Sequence, residues 1–126
     1  MTKVLALDYG SARTGVAVSD PTGSLARPLC TIERAAGGAG LDELVTLIEQ
    51  ESPEIVVVGM PLTLRGERGE QARETESFVV ALKQRVRVPV ETFDERFTSV
   101  LAGGDDAKAA AHLLTSYLEW QSNGPR

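Results

Sequence analysis

The chain begins with two short apolar runs, the first ending at Asp8 and the second beginning at Val16. Between them lies a turn bounded by glycines, residues 10–15. This pattern predicts strands over residues 3–8 and 14–19, paired as an antiparallel hairpin. Asp8 then falls where a buried strand opens to solvent, a position from which a carboxylate can hold a divalent cation. The stretch therefore indicates phosphate chemistry rather than a surface salt bridge.

The rest of the chain alternates between strand and helix patterns. Leu41, Leu44, Val45 and Ile48 recur at helical spacing, and Ile55-Val56-Val57-Val58 is a continuous β-branched run of the kind that is covered on both faces. The predicted segments are a strand over 26–33, a flexible connection over 35–40, a helix over 41–51, a strand over 55–58, a polar loop to about Gly69, a helix over 70–86, a strand over 88–93 and a helix over 106–120.

The order of these segments, β-β-β-α-β-α-β-α, predicts the fold class. A hairpin and its neighbouring strand form an antiparallel unit, and the later strands join it in parallel through helical crossovers. Such crossovers are right-handed, which places helices over the faces of the sheet. We therefore predict a three-layer α/β domain around a mixed five-stranded sheet.

The composition is that of a globular protein. The length of 126 residues, with 42% hydrophobic and 25% charged residues, suits one domain over residues 1–126. The single cysteine, Cys30, cannot form an intramolecular disulfide, which favours a reducing cytosol. A first strand that starts by residue 3 leaves no room for a signal peptide, and no apolar run approaches the ~18 residues of a membrane helix. We expect a cytoplasmic protein outside the membrane; the sequence favours no particular oligomeric state.

The charge balance argues weakly against nucleic acid as a partner. The formal net charge is −5, whereas dedicated nucleic-acid binders usually carry a basic patch. Two observations weaken this objection. Acids that hold metal ions are neutralised once the cations bind, and Arg65, Arg68 and Arg73 cluster in one stretch. Catalysis on phosphodiesters is therefore compatible with the charge.

Acidic residues stand at three predicted element ends: Asp8, the pair Asp94-Glu95 and the pair Asp105-Asp106. Carboxylates from separate elements can hold Mg²⁺ together with substrate phosphate, and two ions about 4 Å apart can support phosphodiester cleavage. Asp8 and Glu95 converge if the first and fifth strands lie near each other. Each acid also has a simpler interpretation: Asp8 as a turn residue, Asp94-Glu95 as part of a solvated turn, and Asp106 as a helix N-cap.

The residues taken together resemble the YqgF/RuvX family of RNase H-like nucleases, the pre-16S rRNA nuclease or Holliday-junction-resolvase-like group. The resemblance spans nearly the whole chain, and its first and fourth motifs are the most characteristic. The matching motifs are Leu5-Ala6-Leu7-Asp8-Tyr9-Gly10 with Gly15-Val16-Ala17-Val18, Ala26-Arg27-Pro28-Leu29, Val58-Gly59-Met60-Pro61-Leu62 with Gly66, Asp94-Glu95-Arg96-Phe97-Thr98-Ser99, and Asp106 with Ala110-Ala111 and Leu114.

The resemblance implies an RNase H-like fold and a Mg²⁺- or Mn²⁺-dependent endonuclease. It implies that Asp8, Glu95 and Asp106 are the metal-binding catalytic acids, and that Arg96 and Thr98 position substrate phosphate or the local backbone. The implied substrate is the 5′ end of pre-16S rRNA, with branched DNA as the alternative and ribosomal particles as a further partner.

Three further arginines are candidates for phosphate contacts because of their charge and location. Arg13 lies at the predicted hairpin tip, and Arg65 and Arg68 lie in the polar loop. A solvated surface role is the alternative for each of them.

The chain departs from the family pattern in one segment. Family members usually carry a longer, often basic stretch before the last acid, whereas only residues 97–105 separate Arg96 from Asp106 here. Nine residues can span roughly 30 Å when extended, so Asp106 can still reach the site. Asp105 is the alternative third acid if the helix begins one residue earlier.

Two other function classes remain open at this point. The Asp-x-Gly hairpin also resembles the phosphate-binding start of actin-like and sugar-kinase ATPases, but those enclose ATP between two such domains. The shortened segment over 97–105 could instead mark a non-catalytic nucleic-acid or ribosome-interaction module. His112 has no second histidine for a zinc site, and Tyr117 and Trp120 are interpreted as packing residues.

Overall fold

The computed structural model describes residues 3–61, 69–95 and 106–123. Within these ranges the chain forms five strands and three helices in the predicted order. The elements are β1 (Val4–Asp8), β2 (Arg13–Ser19), β3 (Ala26–Glu33), α1 (Gly38–Glu51), β4 (Ile55–Met60), α2 (Glu70–Lys83), β5 (Val90–Asp94) and α3 (Asp106–Asn123).

The five strands form one mixed sheet in the order β3-β2-β1-β4-β5. Strand β2 is antiparallel to both β1 and β3, whereas β4 pairs in parallel with β1 and β5 pairs in parallel with β4. This is the mixed sheet that the sequence predicts. Because β1, β4 and β5 are parallel, their carboxyl ends meet at one end of the sheet.

The two faces of the sheet carry separate hydrophobic cores. Alternation along β1 sends Leu5 and Leu7 to one face and Val4 and Ala6 to the other. Helices α1 and α2 cover the first face, and α3 covers the second. The prediction of helices on both faces is therefore confirmed, and each side chain of β1 can be assigned to a face from its position in the strand.

Several element boundaries differ from the prediction by two or three residues; α3 ends at Asn123 rather than at residue 120, and β4 ends at Met60 rather than at residue 58. Helix α1 begins at Gly38 rather than at residue 41; the glycine-rich segment joins the helix, and the missing side chain of Gly40 lets it pack closely on the carbonyls of Glu33 and Arg34. Helix α2 ends at Lys83 rather than at residue 86, where the chain turns back with the N–H groups of Arg85 and Val86 both donating to the carbonyl of Leu82. The fifth strand accordingly covers residues 90–94 instead of 88–93.

Other expectations can be compared directly with the structure. Leu41, Leu44, Val45 and Ile48 are all buried on α1, as their spacing predicts. Cys30 is half-buried in β3. Among the described residues, no helix has the length and apolar character needed to cross a membrane.

Candidate active site

Asp8 is the last residue of β1 and turns its side chain toward the face that α3 covers. Val4 and Ala6 pack in the core beneath α3, and Asp8 continues the same alternation. Tyr9 follows on the opposite face, where its ring stacks on Phe78 of α2 with centroids 4.5 Å apart. The first predicted acid thus stands at the carboxyl end of a central strand, half-buried under the start of α3.

Glycines occupy both positions beside Asp8 in the sheet. Gly15 on β2 pairs directly with Asp8. On the other side, the register that pairs Leu7 with Val58 brings Gly59 of β4 next to Asp8. Neither neighbour contributes a side chain, so the sheet surface around the Asp8 carboxylate is bare.

Glu95 reaches this bare surface from β5, although β1 and β5 are not adjacent. Strand β4 lies between them, and the Glu95 side chain lies over Gly59 of that strand. A methyl group added to Gly59 would stand 2.9 Å from Glu95 Cγ and 3.1 Å from its Oε2. The predicted convergence of Asp8 and Glu95 therefore occurs across a strand that has no side chain in the way.

Asp106 is the first residue of α3 and lies over β2, on the side of Asp8 opposite to Glu95. Its backbone carbonyl lies so close to Gly15 that a β-carbon at residue 15 would overlap it. Its carboxylate Oδ2 accepts a hydrogen bond of 2.9 Å from Nε of Arg13, at the start of β2. Arg13, predicted from sequence as a phosphate contact, is thus an ion-pair partner of Asp106 in this structure.

The described carboxylates of the site repel one another. Burial, and then the nearby Asp106 carboxylate, raise the pKa of Asp8 above its ordinary value. Burial, followed by repulsion from Asp8 and Asp94, raises the pKa of Glu95 to about 7. Among the described residues, no lysine or arginine forms an ion pair with Asp8 or Glu95. A bound cation would remove this repulsion and keep both carboxylates ionised.

The fit to a metal ion rests on the chemistry of these donors. Within residues 3–61, 69–95 and 106–123, no three His, Cys, Asp or Glu side chains are grouped closely enough to hold one ion. Mg²⁺ seldom needs such a cage, because it keeps several waters and binds through one or two carboxylates plus substrate phosphate. Asp8 and Glu95 are hard oxygen donors that repel each other without a cation, and in that respect they fit a divalent ion.

Several residues singled out in the sequence are not part of the described structure. Arg65, Arg68, Arg96, Thr98 and Asp105 lie outside the described ranges. Of the residues that are described, His112 is exposed on α3. Tyr117 and Trp120 pack around Phe93 with ring centroids 5.5 and 5.8 Å from it, as their interpretation as packing residues predicts.

Sequence reasoning missed the roles of Gly15 and Gly59. Both were noted only as members of motifs, whereas the structure shows that each makes room for one of the outer acids. A signal was present, because a glycine inside a strand often marks a close approach by another backbone or side chain. That signal does not say which group approaches.

Comparison with known proteins places the chain among relatives of similar length. The family described as "RuvX: Holliday junction resolvase" matches residues 2–120. A "Putative pre-16S rRNA nuclease" of Chloroflexus aggregans is 44% identical over 135 residues, covering 95% of each chain. Proteins of the same name from Chloroflexus aurantiacus and Gloeobacter violaceus are 39% and 42% identical, covering 97% and 94% of this chain and 90% and 85% of their own lengths.

A solved structure shows the same fold despite low identity. RuvC of T. thermophilus, in complex with a Holliday junction substrate, matches with a TM-score of 0.64 at 16% identity and covers 98% of both chains. The C. aurantiacus alignment extends over 137 residues, more than the 126 of this chain, so that relative carries insertions that this chain lacks. With the family match over residues 2–120 and relatives up to 44% identical along nearly their whole length, the chain belongs to the RuvX family, on an RNase H-like fold.

Proposed function

We propose that this protein is a metal-dependent endonuclease that hydrolyses phosphodiester bonds, with Asp8, Glu95 and Asp106 as its catalytic acids. The observation that carries the proposal is the convergence of Asp8 and Glu95 over Gly59, where burial and mutual repulsion raise the pKa of Glu95 to about 7. A pair of half-buried, mutually repelling carboxylates without a cation is unfavourable for folding alone. Binding a divalent ion and a phosphate gives the pair a function.

The three acids are proposed to hold the metal ions together. Asp8 and Glu95 would hold Mg²⁺ or Mn²⁺, and Asp106 would complete the set once its carboxylate leaves Arg13. When bound, such ions activate a water for attack and stabilise the leaving oxygen, which gives 5′-phosphate and 3′-hydroxyl ends. The chain's own contribution is to fix the carboxylates on a rigid sheet end and, at Arg13, to keep a cation beside Asp106.

The proposed substrate is pre-16S rRNA, cleaved during maturation of its 5′ end in the cytoplasm. The support is the name shared by relatives that are 39–44% identical over nearly the whole chain. Branched DNA is the second candidate, because the matching family is described by Holliday junction resolution. Arg96, Thr98, Arg65 and Arg68 are proposed as further substrate contacts, and residues 1–126 as one nuclease domain.

The decisive experiment compares Asp8→Asn with wild type on two substrates. Purified protein is incubated with a pre-16S rRNA 5′ leader or a four-way DNA junction, with Mg²⁺ or with EDTA. We expect metal-dependent cleavage by wild type and a loss of about 100-fold or more in Asp8→Asn, the size that several kcal/mol of transition-state stabilisation implies. Circular dichroism should show an unchanged fold.

Asp42→Asn is the matched control. It removes the same charge from the exposed surface of α1, where Asp42 pairs with Arg85, and should leave cleavage unchanged. Equal cleavage by Asp8→Asn and wild type would overturn the proposed site. Biological function that survives Asp8→Asn, with no cleavage of either substrate, would favour the non-catalytic module, and tight ATP binding would favour the ATPase-like class.

A further inference from the structure

A small hollow opens at the same end of the sheet as the acids but on the opposite face. Its volume is about 230 Å³, and Tyr9 and Phe78 form its aromatic side while Glu74, Ser77 and Ala36 complete the lining. Tyr9 directly follows Asp8 in the chain. The hollow and the carboxylates are therefore on the two sides of one strand end, and the proposed mechanism makes no use of the hollow.

The aromatic side of the hollow is held rigidly. Phe78 is buried in the core beneath α2, and the Tyr9 ring lies nearly parallel to it, with centroids 4.5 Å apart and planes 18° apart. An aromatic lining favours contact with another flat ring. The volume is below the roughly 300 Å³ at which pockets for drug-sized ligands begin, so the hollow suits one planar ring system rather than a base pair.

The polar lining selects among such rings. Glu74 offers carboxylate oxygens that only accept hydrogen bonds, and Ser77 offers a hydroxyl that both donates and accepts. A carboxylate accepts well from the amino group of cytosine. Uracil carries a carbonyl oxygen in place of that amino group, and this oxygen would face the carboxylate unfavourably.

An exposed arginine lies close in the chain to the lining of the hollow. Arg34 is exposed and lies two residues before Ala36. Its backbone adopts a left-handed conformation with φ of 50°, and its N–H donates to the carbonyl of Ala12 at 3.0 Å, which ties it to the hairpin tip beside the acids. Within the described part of the chain, no acidic side chain forms an ion pair with its guanidinium.

We propose that this region is a nucleotide subsite for a single-stranded stretch of the substrate, with an unpaired base that carries an amino group, such as cytosine, in the hollow and its phosphate at Arg34. The base would lie against Tyr9, whose ring is backed by Phe78, and donate its amino group to Glu74. Bases outside a duplex are commonly recognised by this combination of aromatic contact and edge hydrogen bonding. The inference rests on the proposed nuclease function. It assumes that a nucleic-acid strand bound at Asp8 continues over the end of the sheet to the hollow on the other face.

The base assignment is tested by binding of two fluorescent RNA oligonucleotides of equal length, oligocytidine and oligouridine, followed by anisotropy. We expect wild type to bind oligocytidine at least about fivefold more tightly than oligouridine, the lower end of one specific edge contact. Glu74→Ala should abolish this ratio. Glu70→Ala is the matched control, because it removes the same charge one turn earlier on α2 and should keep the ratio.

The phosphate assignment is tested in the same assay at several salt concentrations. Arg34→Ala should weaken binding of both oligonucleotides alike and lower the salt dependence by about one phosphate contact. Arg27→Ala removes the same charge from the far end of β3, and it should change neither the affinity for the oligonucleotides nor the salt dependence of binding. An unchanged salt dependence in Arg34→Ala would overturn the assignment of Arg34.

Failure of this inference can be told apart from failure of the nuclease proposal. Equal affinity of wild type for the two oligonucleotides, or a ratio that persists in Glu74→Ala, would overturn the base subsite while Asp8-dependent cleavage remains intact. Selective binding without any metal-dependent cleavage would support the subsite and overturn the nuclease proposal instead.

Discussion

At the scale of single residues, the site depends as much on side chains that are missing as on those that are present. Gly15 and Gly59 flank Asp8 in the sheet and leave its carboxylate uncovered. Through these two gaps Glu95 and Asp106 approach from opposite sides. The acids supply the charge, and the glycines determine that the acids can meet.

Gly59→Ala tests this directly. The new methyl group would stand 2.9 Å from Glu95 Cγ, so the Glu95 side chain must move, whereas no backbone atom is among its three nearest contacts. We expect a fall in cleavage of about 10- to 100-fold from misplacement of one catalytic group, with a small change in melting temperature. Gly37→Ala is the control, since a methyl group there meets nothing within 4 Å. Full activity in Gly59→Ala would contradict the assigned role of Glu95.

Arg13→Ala separates stability from metal binding. The Arg13–Asp106 ion pair is solvent-accessible, with side-chain exposures of 61% and 34%, so its loss should lower the free energy of unfolding by less than about 1 kcal/mol. The apparent affinity for Mg²⁺ in calorimetry should rise several-fold, because a competing cation leaves Asp106. Arg85→Ala removes a pair of the same 2.9 Å length from Asp42 and should leave Mg²⁺ affinity unchanged. Weaker Mg²⁺ binding in Arg13→Ala would contradict the competition.

At the scale of elements, the position of α3 decides where the third acid stands. The helix lies across β1, β2 and β3, and its first residue sits on Gly15 of β2. This contact is between two backbones, so it cannot adjust by rotation of a side chain. The start of α3 is therefore positioned by the smallest residue in the sheet.

Gly15→Ala should displace the start of α3. A β-carbon there overlaps the backbone carbonyl of Asp106, and such overpacking typically costs about 1–3 kcal/mol of unfolding free energy. We expect a lower melting temperature together with a loss of cleavage, measured by thermal unfolding and by the leader assay. Gly69→Ala is the control, because a methyl group there meets nothing within 4 Å; it should have little effect on the melting temperature or on cleavage. A fully stable and active Gly15→Ala would show that α3 is not held in this way.

At the scale of the whole molecule, the site makes the stability of the folded state depend on pH and on the binding of a metal ion. The folded protein holds protons on Glu95 and Asp8 more tightly than the unfolded chain, because their pKa values are raised, that of Glu95 from 4.5 to about 7. The contribution of Glu95 to stability is therefore full below about pH 4 and is lost as pH rises through about 7, and the contribution of Asp8 is likewise lost as pH rises through its raised pKa. The pKa of Asp20 is lowered to about 2, so its contribution to stability is instead lost as pH falls, and only in strongly acidic solution.

Metal-free protein should accordingly become less stable between about pH 5 and pH 8, as measured by denaturant unfolding. Mg²⁺ should raise the melting temperature more at the higher pH, because it binds the ionised carboxylates. Asp8→Asn should weaken both effects by removing the like charge beside Glu95, whereas Asp42→Asn should keep them. Stability that rises over this range in the absence of metal, together with an Mg²⁺ effect independent of pH, would contradict the charge arrangement.

The sequence by itself determined the order of the elements, the mixed sheet and the candidate acids. These follow from local information: alternating or β-branched runs for strands, periodic apolar residues for helices, and acids at the ends of predicted elements. The tertiary structure decided that β4 separates β1 from β5, that Glu95 crosses it over Gly59, and that Arg13 holds Asp106. Such contacts join residues far apart in the chain, and they depend on strand order and backbone separation, which hydrophobic periodicity does not encode.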